Sequence, residues 1–167
     1  MMQAAHKARA TLKIDVLAES DLWKRNDDAG AVARRAVAEA AAALSTPAAE
    51  LAIVLTDDSA IRQLNRAWRG IDAATNVLSF PTATAGGEPP LLGDVVLAYE
   101  TIAAEARAQQ KPIAHHVAHL AVHGFLHLLG YDHVRNKDAE TMERLEREIM
   151  RRLAIPDPYR LPAKAAV

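Results

Sequence analysis

The sequence predicts an α+β fold in which one mixed sheet of about four strands packs against about five helices, one of them buried and rich in histidine. Short segments of alternating or clustered apolar residues predict the strands, and longer segments with apolar residues every three or four positions predict the helices. Their order is β-α-β-α-β-β-α-α-α, without an internal repeat or an interdomain linker. The chain has 167 residues, of which 50% are hydrophobic and 25% charged, which is typical of one globular domain. We therefore expect a single domain over residues 1–167, with loose termini at 1–10 and 160–167.

The first half of the chain should alternate strands with helices. Residues 11–19 alternate apolar and polar side chains, as a half-buried strand does, and residues 49–57 form a second, mostly apolar strand. Between them, an alanine-rich helix should begin near Asp27 or Asp28 and end before Pro47. Residues 57–70 have aspartates at the start and a glycine at the end, which are helix-capping signals. The predicted apolar face of this second helix consists of Ile61, Leu64 and Trp68.

The second half should contain a pair of strands and three helices. Residues 76–81 predict a short strand stopped by Pro81, residues 82–92 a mobile loop rich in Gly and Pro, and residues 93–100 another strand. A helix over 100–110 should be followed by a histidine-rich helix that starts at Pro112 and stops at Gly130. Residues 138–155 predict a last amphipathic helix, whose inward residues are Met142, Leu145, Ile149 and Leu153.

The composition limits the classes of function. The sequence has no cysteine, so disulfides and thiolate metal ligands are excluded, and any zinc site must use His, Asp or Glu. A net charge of -1 and an aromatic content of 4% disfavour a passive nucleic-acid binder that works as a base-stacking platform. No apolar run reaches the ~18 residues of a membrane span, and the first residues lack the core of a signal peptide. We therefore expect a cytoplasmic protein without a membrane partner.

The segment HGFLHLLGYDH, residues 123–133, has the spacing of a metal site. His123 and His127 lie one helical turn apart on one face, about 5–6 Å between their Cβ atoms. Gly130 can adopt a positive φ and turn the chain back, so that His133 meets the other two imidazoles. Three histidines leave one position for water, which is the pattern of a catalytic zinc. We expect one Zn²⁺ on His123, His127 and His133, with His119 as a core residue or as support for a ligand.

The sequence leaves the identity of the general base open. Zinc peptidases of the H-E-x-x-H type place a glutamate at the second position, where this chain has Gly124. Asp132 is the nearest carboxylate to the histidines in sequence. It is a candidate catalytic base or a group that orients an imidazole, and it could equally cap the turn before His133.

A second group of candidates is basic. Arg62, Arg66 and Arg69 follow one edge of the second predicted helix. Arg62 and Arg66 could hold an RNA backbone or form a solvated polar face. Arg69 stands at the helix end beside Gly70, where its guanidinium can point into a cleft and contact a phosphate. We therefore assign Arg69 a catalytic role.

Three segments carry a family resemblance: LNRAWRGIDAATNVLSFP, LLGDVVLAYETI and HGFLHLLGYDH. Together, over roughly residues 51–159, the chain resembles the YbeY family of metal-dependent endoribonucleases that mature ribosomal RNA. The resemblance implies zinc on His123, His127 and His133 and a functional Arg69. It also implies cleavage of single-stranded RNA, maturation of the 3′ end of 16S rRNA in the small ribosomal subunit, and quality control of ribosomes in the cytoplasm. Many relatives have an aspartate where this chain has Asn76.

Three functions are compatible with these residues. The predicted one is a single-strand-specific endoribonuclease in which zinc-activated water attacks a phosphodiester of precursor 16S rRNA. A metzincin-like metallopeptidase shares the histidine spacing, but Gly124 disfavours it. A non-catalytic ribosome-assembly factor would hold its zinc as a structural ion.

Overall fold

The computed structural model describes residues 11–82 and 87–160. The loose termini predicted at 1–10 and 160–167 lie outside these residues, except for Arg160. So does part of the predicted loop at 82–92. The elements are β1 (Leu12–Ala18), a 3-10 helix (Asp21–Asn26), α1 (Ala29–Ala43), β2 (Ala49–Thr56), α2 (Asp58–Arg69), β3 (Val77–Pro81), β4 (Leu91–Ala98), α3 (Tyr99–Ala108), α4 (Ile113–Leu128) and α5 (Asn136–Arg152).

The four strands form one mixed sheet in the order β1-β2-β4-β3. β1 and β4 both pair with β2 in parallel, and β3 pairs with β4 antiparallel. The predicted α+β class with a mixed sheet is therefore confirmed. β3 lies at an edge of the sheet, which is where a strand tolerates a proline such as Pro81.

Helix α4 lies at the centre of the larger core. It packs against α1, α3 and α5 and against the face of β3 and β4 that carries Val95 and Leu97. Val122, Phe125 and Leu126 of α4 are fully buried, so the prediction of a buried histidine-rich helix is confirmed. Because this face of the sheet is apolar, the histidines of α4 collect along the remaining side of the helix.

Helix α2 covers the opposite face of the sheet. Its Ile61 is fully buried in a small cluster with Leu78 and Val96. The predicted apolar face is wrong at Trp68, which is 73% exposed. At this end of the helix the indole contacts Phe80 of the edge strand β3 and stays largely in solvent. The buried positions one turn apart are instead Ile61 and Asn65, whose side-chain amide donates to Ala73 O at 2.9 Å.

Two local features were not predicted. The 3-10 helix after β1 buries Trp23, whose Nε1 donates to Thr56 O at 2.7 Å. Strand β4 begins at Leu91, earlier than predicted, because its first residues pair with β2. Among the residues that the structure describes, no helix has both the length and the apolar character that a membrane span needs.

Candidate metal centre

The end of α4 brings three imidazoles together. His123 and His127 lie on the same side of the helix, with their Nε2 atoms 3.1 Å apart. The ring of His133 lies 5.7 Å from that of His123 and 5.2 Å from that of His127, measured between centroids. One ligand nitrogen from each residue lies within 4.8 Å of the others. The three residues selected from the sequence therefore form a group that could hold a metal ion.

Gly130 brings His133 to this group. Its φ of 96° is in the region that favours glycine, and it ends α4 with a reversal of the chain. The reversal is stabilised by hydrogen bonds from Gly130 N to His127 O at 3.0 Å and from Tyr131 N to Leu126 O at 3.1 Å. The predicted role of the glycine thus has a direct structural counterpart.

The donor set fits zinc. Two nitrogens bound to one tetrahedral Zn²⁺ at ordinary bond lengths lie about 3.3 Å apart, and the Nε2 atoms of His123 and His127 are separated by 3.1 Å. Burial, with the nearby rings of His123 and His133, lowers the pKa of His127 below its usual value. His127 therefore favours the neutral form, which is the form that binds metal.

A buried glutamate from α5 stands behind the cluster. The Glu146 carboxylate is fully buried and accepts hydrogen bonds from His123 Nδ1 and Tyr159 OH, and it lies 3.2 Å from His119 Nε2. Burial alone would raise the pKa of Glu146, but the hydrogen bonds with His119 and His123 lower it to about 2. Because an ionised carboxylate only accepts, His123 carries its proton on Nδ1 and turns the Nε2 lone pair towards the cluster.

Sequence reasoning missed Glu146. A signal was present, since Glu146 lies one turn after Met142 and one turn before Met150, on the buried stripe of an otherwise amphipathic helix. A charged residue at a core position requires a partner. His119, expected to be a core residue or a support, contacts this glutamate and lies outside the three-histidine group.

Gly124 occupies the position of the peptidase glutamate, and the packing leaves no room for a side chain there. A Cβ on Gly124 would lie 2.6 Å from Val95 Cγ1 and 3.1 Å from Ser79 Oγ. Ser79 of β3 donates from its hydroxyl to Gly124 O at 2.9 Å and joins β3 to α4. This position therefore faces the sheet, and α4 lies too close to β4 for a catalytic side chain.

The histidines open into a pocket of about 490 Å³ at the edge of β3. Arg69, from the end of α2, lines the same pocket and donates from Nη2 to Ser79 O at 3.3 Å. The expectation that Arg69 points into a cleft agrees with this geometry. Asn76 also lines the pocket, with its amide donating to Glu105 at 2.9 Å.

The remaining candidates are placed differently. Asp132 lines the pocket, but its Oδ1 accepts from Val134 N at 3.3 Å, which is the turn-capping arrangement. Arg62 forms an exposed ion pair with Asp72, at 2.8 Å, beside a different pocket. Arg66 is exposed and does not line the histidine pocket.

The sequence of this chain matches a known protein family. The family model described as endoribonuclease YbeY matches residues 18–154. The chain belongs to the YbeY family. Among curated proteins named endoribonuclease YbeY, that of Bradyrhizobium diazoefficiens is 53% identical over 153 residues, covering 87% of this chain and 84% of the relative. Those of Rhodopseudomonas palustris and Nitrobacter winogradskyi are 51% and 50% identical, covering 87% and 93% of this chain and 90% and 86% of the relatives.

The resemblance read from three segments is thus confirmed as membership of the YbeY family. The matched residues include the three histidines, Arg69 and Glu146, whereas Tyr159 lies just beyond them. The metallopeptidase alternative finds no support in the site, because Gly124 has neither a base nor space for one.

Proposed function

We propose that this chain is a zinc-dependent endoribonuclease that hydrolyses single-stranded RNA at the three-histidine cluster. The main support for this proposal is that the three histidines and Arg69 line the same pocket. The guanidinium of Arg69 is a cation suited to phosphate. The endoribonuclease activity follows from the family, because the relatives described above bear that activity in their names.

The histidines and Arg69 have separate proposed roles in phosphodiester hydrolysis. A zinc ion bound by the histidines would supply a water of lowered pKa and a positive charge beside the phosphodiester. The guanidinium of Arg69 uses one N–H for Ser79 O, and its other donors make no hydrogen bond among the described residues, so they are available to a phosphate oxygen. Such a contact strengthens as negative charge builds on the phosphorus substituents.

Asp132 remains the candidate base, although its present hydrogen bond supports the capping role. Only Oδ1 accepts from Val134 N, so Oδ2 is the oxygen that would take up a proton within the pocket while the cap is kept. Asp132→Asn separates the two roles, because an amide oxygen can still cap the turn but cannot take up a proton.

The substrate proposed is the precursor of 16S rRNA, cut at its 3′ end within the small ribosomal subunit in the cytoplasm. Arg62 and Arg66 are proposed to hold the RNA backbone outside the pocket. Arg62 would have to exchange Asp72 for a phosphate, which is feasible because the pair is solvent-exposed and therefore weak.

The test combines zinc analysis with cleavage of precursor rRNA by the same sample. His127→Ala should lose both zinc and cleavage, because it removes a ligand. Arg69→Glu should keep zinc and lose about 10²- to 10³-fold in kcat/KM, as removal of a donor to a developing charge does. Arg35→Glu makes the same charge change on the exposed surface of α1 and should cleave normally. Normal cleavage by Arg69→Glu would refute the role of Arg69.

The same samples test the two alternatives, a metallopeptidase and a non-catalytic factor with a structural zinc. Incubation with an unstructured peptide should give no cleavage, and cleavage of peptide but not RNA would show a peptidase. Chelation should abolish RNA cleavage while circular dichroism shows a folded protein. Unchanged cleavage after chelation would refute a catalytic metal, and unfolding after chelation would indicate a structural one.

A further inference from the structure

The most exposed tryptophan, tyrosine or phenylalanine ring belongs to Trp68, the residue before Arg69. Trp68 is 73% exposed, whereas the second tryptophan, Trp23, is 3% exposed, and Tyr159 is 36% exposed. Tryptophan is usually largely buried, because its ring contributes a large apolar area. An exposed tryptophan next to Arg69, which lines the histidine pocket, is therefore a candidate contact for a ligand.

The position of the ring is defined by its neighbours. Trp68 immediately precedes Arg69, and its ring packs edge-on against Phe80, with centroids 6.1 Å apart and planes at 61°. Phe80 lies in β3 between Ser79 and Pro81, which both line the histidine pocket. The contact with Phe80 thus orients the Trp68 ring beside the strand that carries two pocket-lining residues, while Trp68 itself lies outside the pocket lining.

The edge of β3 separates the ring from the histidines. Phe80 packs on the α2 side of the sheet, whereas Ser79 bonds to α4 on the other side. The guanidinium of Arg69 donates to the backbone oxygen of Ser79, in the edge strand itself. A ligand that crosses this edge would meet the tryptophan, then the guanidinium, then the histidine cluster.

The charge around the ring suits an anionic strand. Arg66 and Arg69 are both exposed in the last turn of α2, whereas Arg62 is paired with Asp72. Aromatic rings that stack bases, placed among cations that bind the backbone, are the usual means of binding single-stranded nucleic acid. At the end of α2 and in the segment after it, the exposed large hydrophobic residues are Trp68 and Ile71, too few for a protein interface, so a single base fits this surface better.

We propose that Trp68 is a base-stacking subsite for single-stranded RNA, which holds the nucleotide next to the phosphate bound by Arg69. The proposal rests on the proposed ribonuclease function and adds a source of strand specificity to it. A base in a duplex is already paired and stacked between its neighbours, so only an unpaired base can lie flat on the indole. The low aromatic content agrees with one stacking ring rather than an aromatic platform.

The test uses the zinc-loaded protein and a short single-stranded oligoribonucleotide. Trp68→Ala should raise KM and the dissociation constant about 5- to 150-fold, the range for loss of one stacked base, with a smaller change in kcat. Trp68→Phe should recover most of the affinity, because a phenyl ring also stacks. Leu17→Ala removes another exposed apolar side chain, on β1 at the opposite edge of the sheet, and should bind RNA like the wild type.

Fluorescence supplies a readout that does not need cleavage. Stopped-flow mixing with the oligonucleotide should quench the exposed Trp68, and Trp68→Phe, which retains only the buried Trp23, should show no quenching. A matched duplex should quench far less. Wild-type affinity in Trp68→Ala, or equal quenching by the duplex, would overturn the subsite. Quenching by single strands without any cleavage would instead refute the proposed function and leave the subsite standing.

Discussion

Replacement of Glu146 by glutamine tests how the protein orients His123, the first histidine of the candidate metal site. Glu146 is fully buried and accepts from His123 Nδ1 and Tyr159, while His119 lies 3.2 Å away. Glutamine keeps the shape and one acceptor oxygen but loses the negative charge and the second acceptor. The fold should survive, whereas the orientation and basicity of His123 should suffer.

The expected magnitude follows from this geometry. A carboxylate hydrogen-bonded to the far nitrogen of a zinc-bound histidine typically contributes about 10- to 100-fold to metal affinity. This corresponds to about 1.4–2.8 kcal/mol of binding free energy. The lower part of the range applies if the glutamine oxygen still accepts from His123, and the upper part if the amide turns its NH₂ group towards the ring.

Competition with a chromophoric zinc chelator measures the affinity of the wild type and both glutamine variants. Glu105→Gln is the matched control, because Glu105 lies 3.2 Å from His116 of the same helix and is absent from the three-histidine group. It should bind zinc like the wild type. Nitrogen NMR of metal-free Glu146→Gln should also show His123 with a mixture of tautomers. Unchanged zinc affinity in Glu146→Gln, or an equal loss in Glu105→Gln, would refute the reasoning.

Two further predictions concern α4. Gly124→Ala should lower the free energy of unfolding by about 1–3 kcal/mol through overpacking, since its Cβ would lie 2.6 Å from Val95 Cγ1. Chemical denaturation should show partial recovery when Val95→Ala is added, and strict additivity would contradict the contact. Burial lowers the pKa of His116, and the nearby Lys111 and His119 lower it further, whereas Glu105 opposes them. The folded state therefore favours the neutral His116 ring. The unfolded chain then binds more protons, and metal-free protein should lose stability as pH falls below the usual histidine pKa of about 6.5. Melting temperatures should fall less steeply in His116→Gln, and equal slopes would exclude this residue as the cause.

Much of the fold was predictable because its signals are local. Helix α2 begins after Asp57, whose side chain accepts from Ala60 N at 2.9 Å, and ends at Gly70 with a φ of 70°. Both features are read directly from residue type, because capping and positive φ depend on the chain within a few residues. The inward placement of Trp68 was wrong because helical periodicity indicates a face of the helix but not which positions on that face the sheet covers.

By itself, the sequence determined which three histidines meet at the candidate metal site. His123 and His127 meet through helical geometry, and Gly130 reverses the chain to bring His133 to them, so each relation spans only a few residues. Only the tertiary structure decided what surrounds the ligands. Glu146 reaches His123 from 23 residues away, and Ser79 reaches Gly124 from 45. Such contacts depend on how α5 and the sheet pack against α4, and packing is a property of the whole core, which no local pattern encodes.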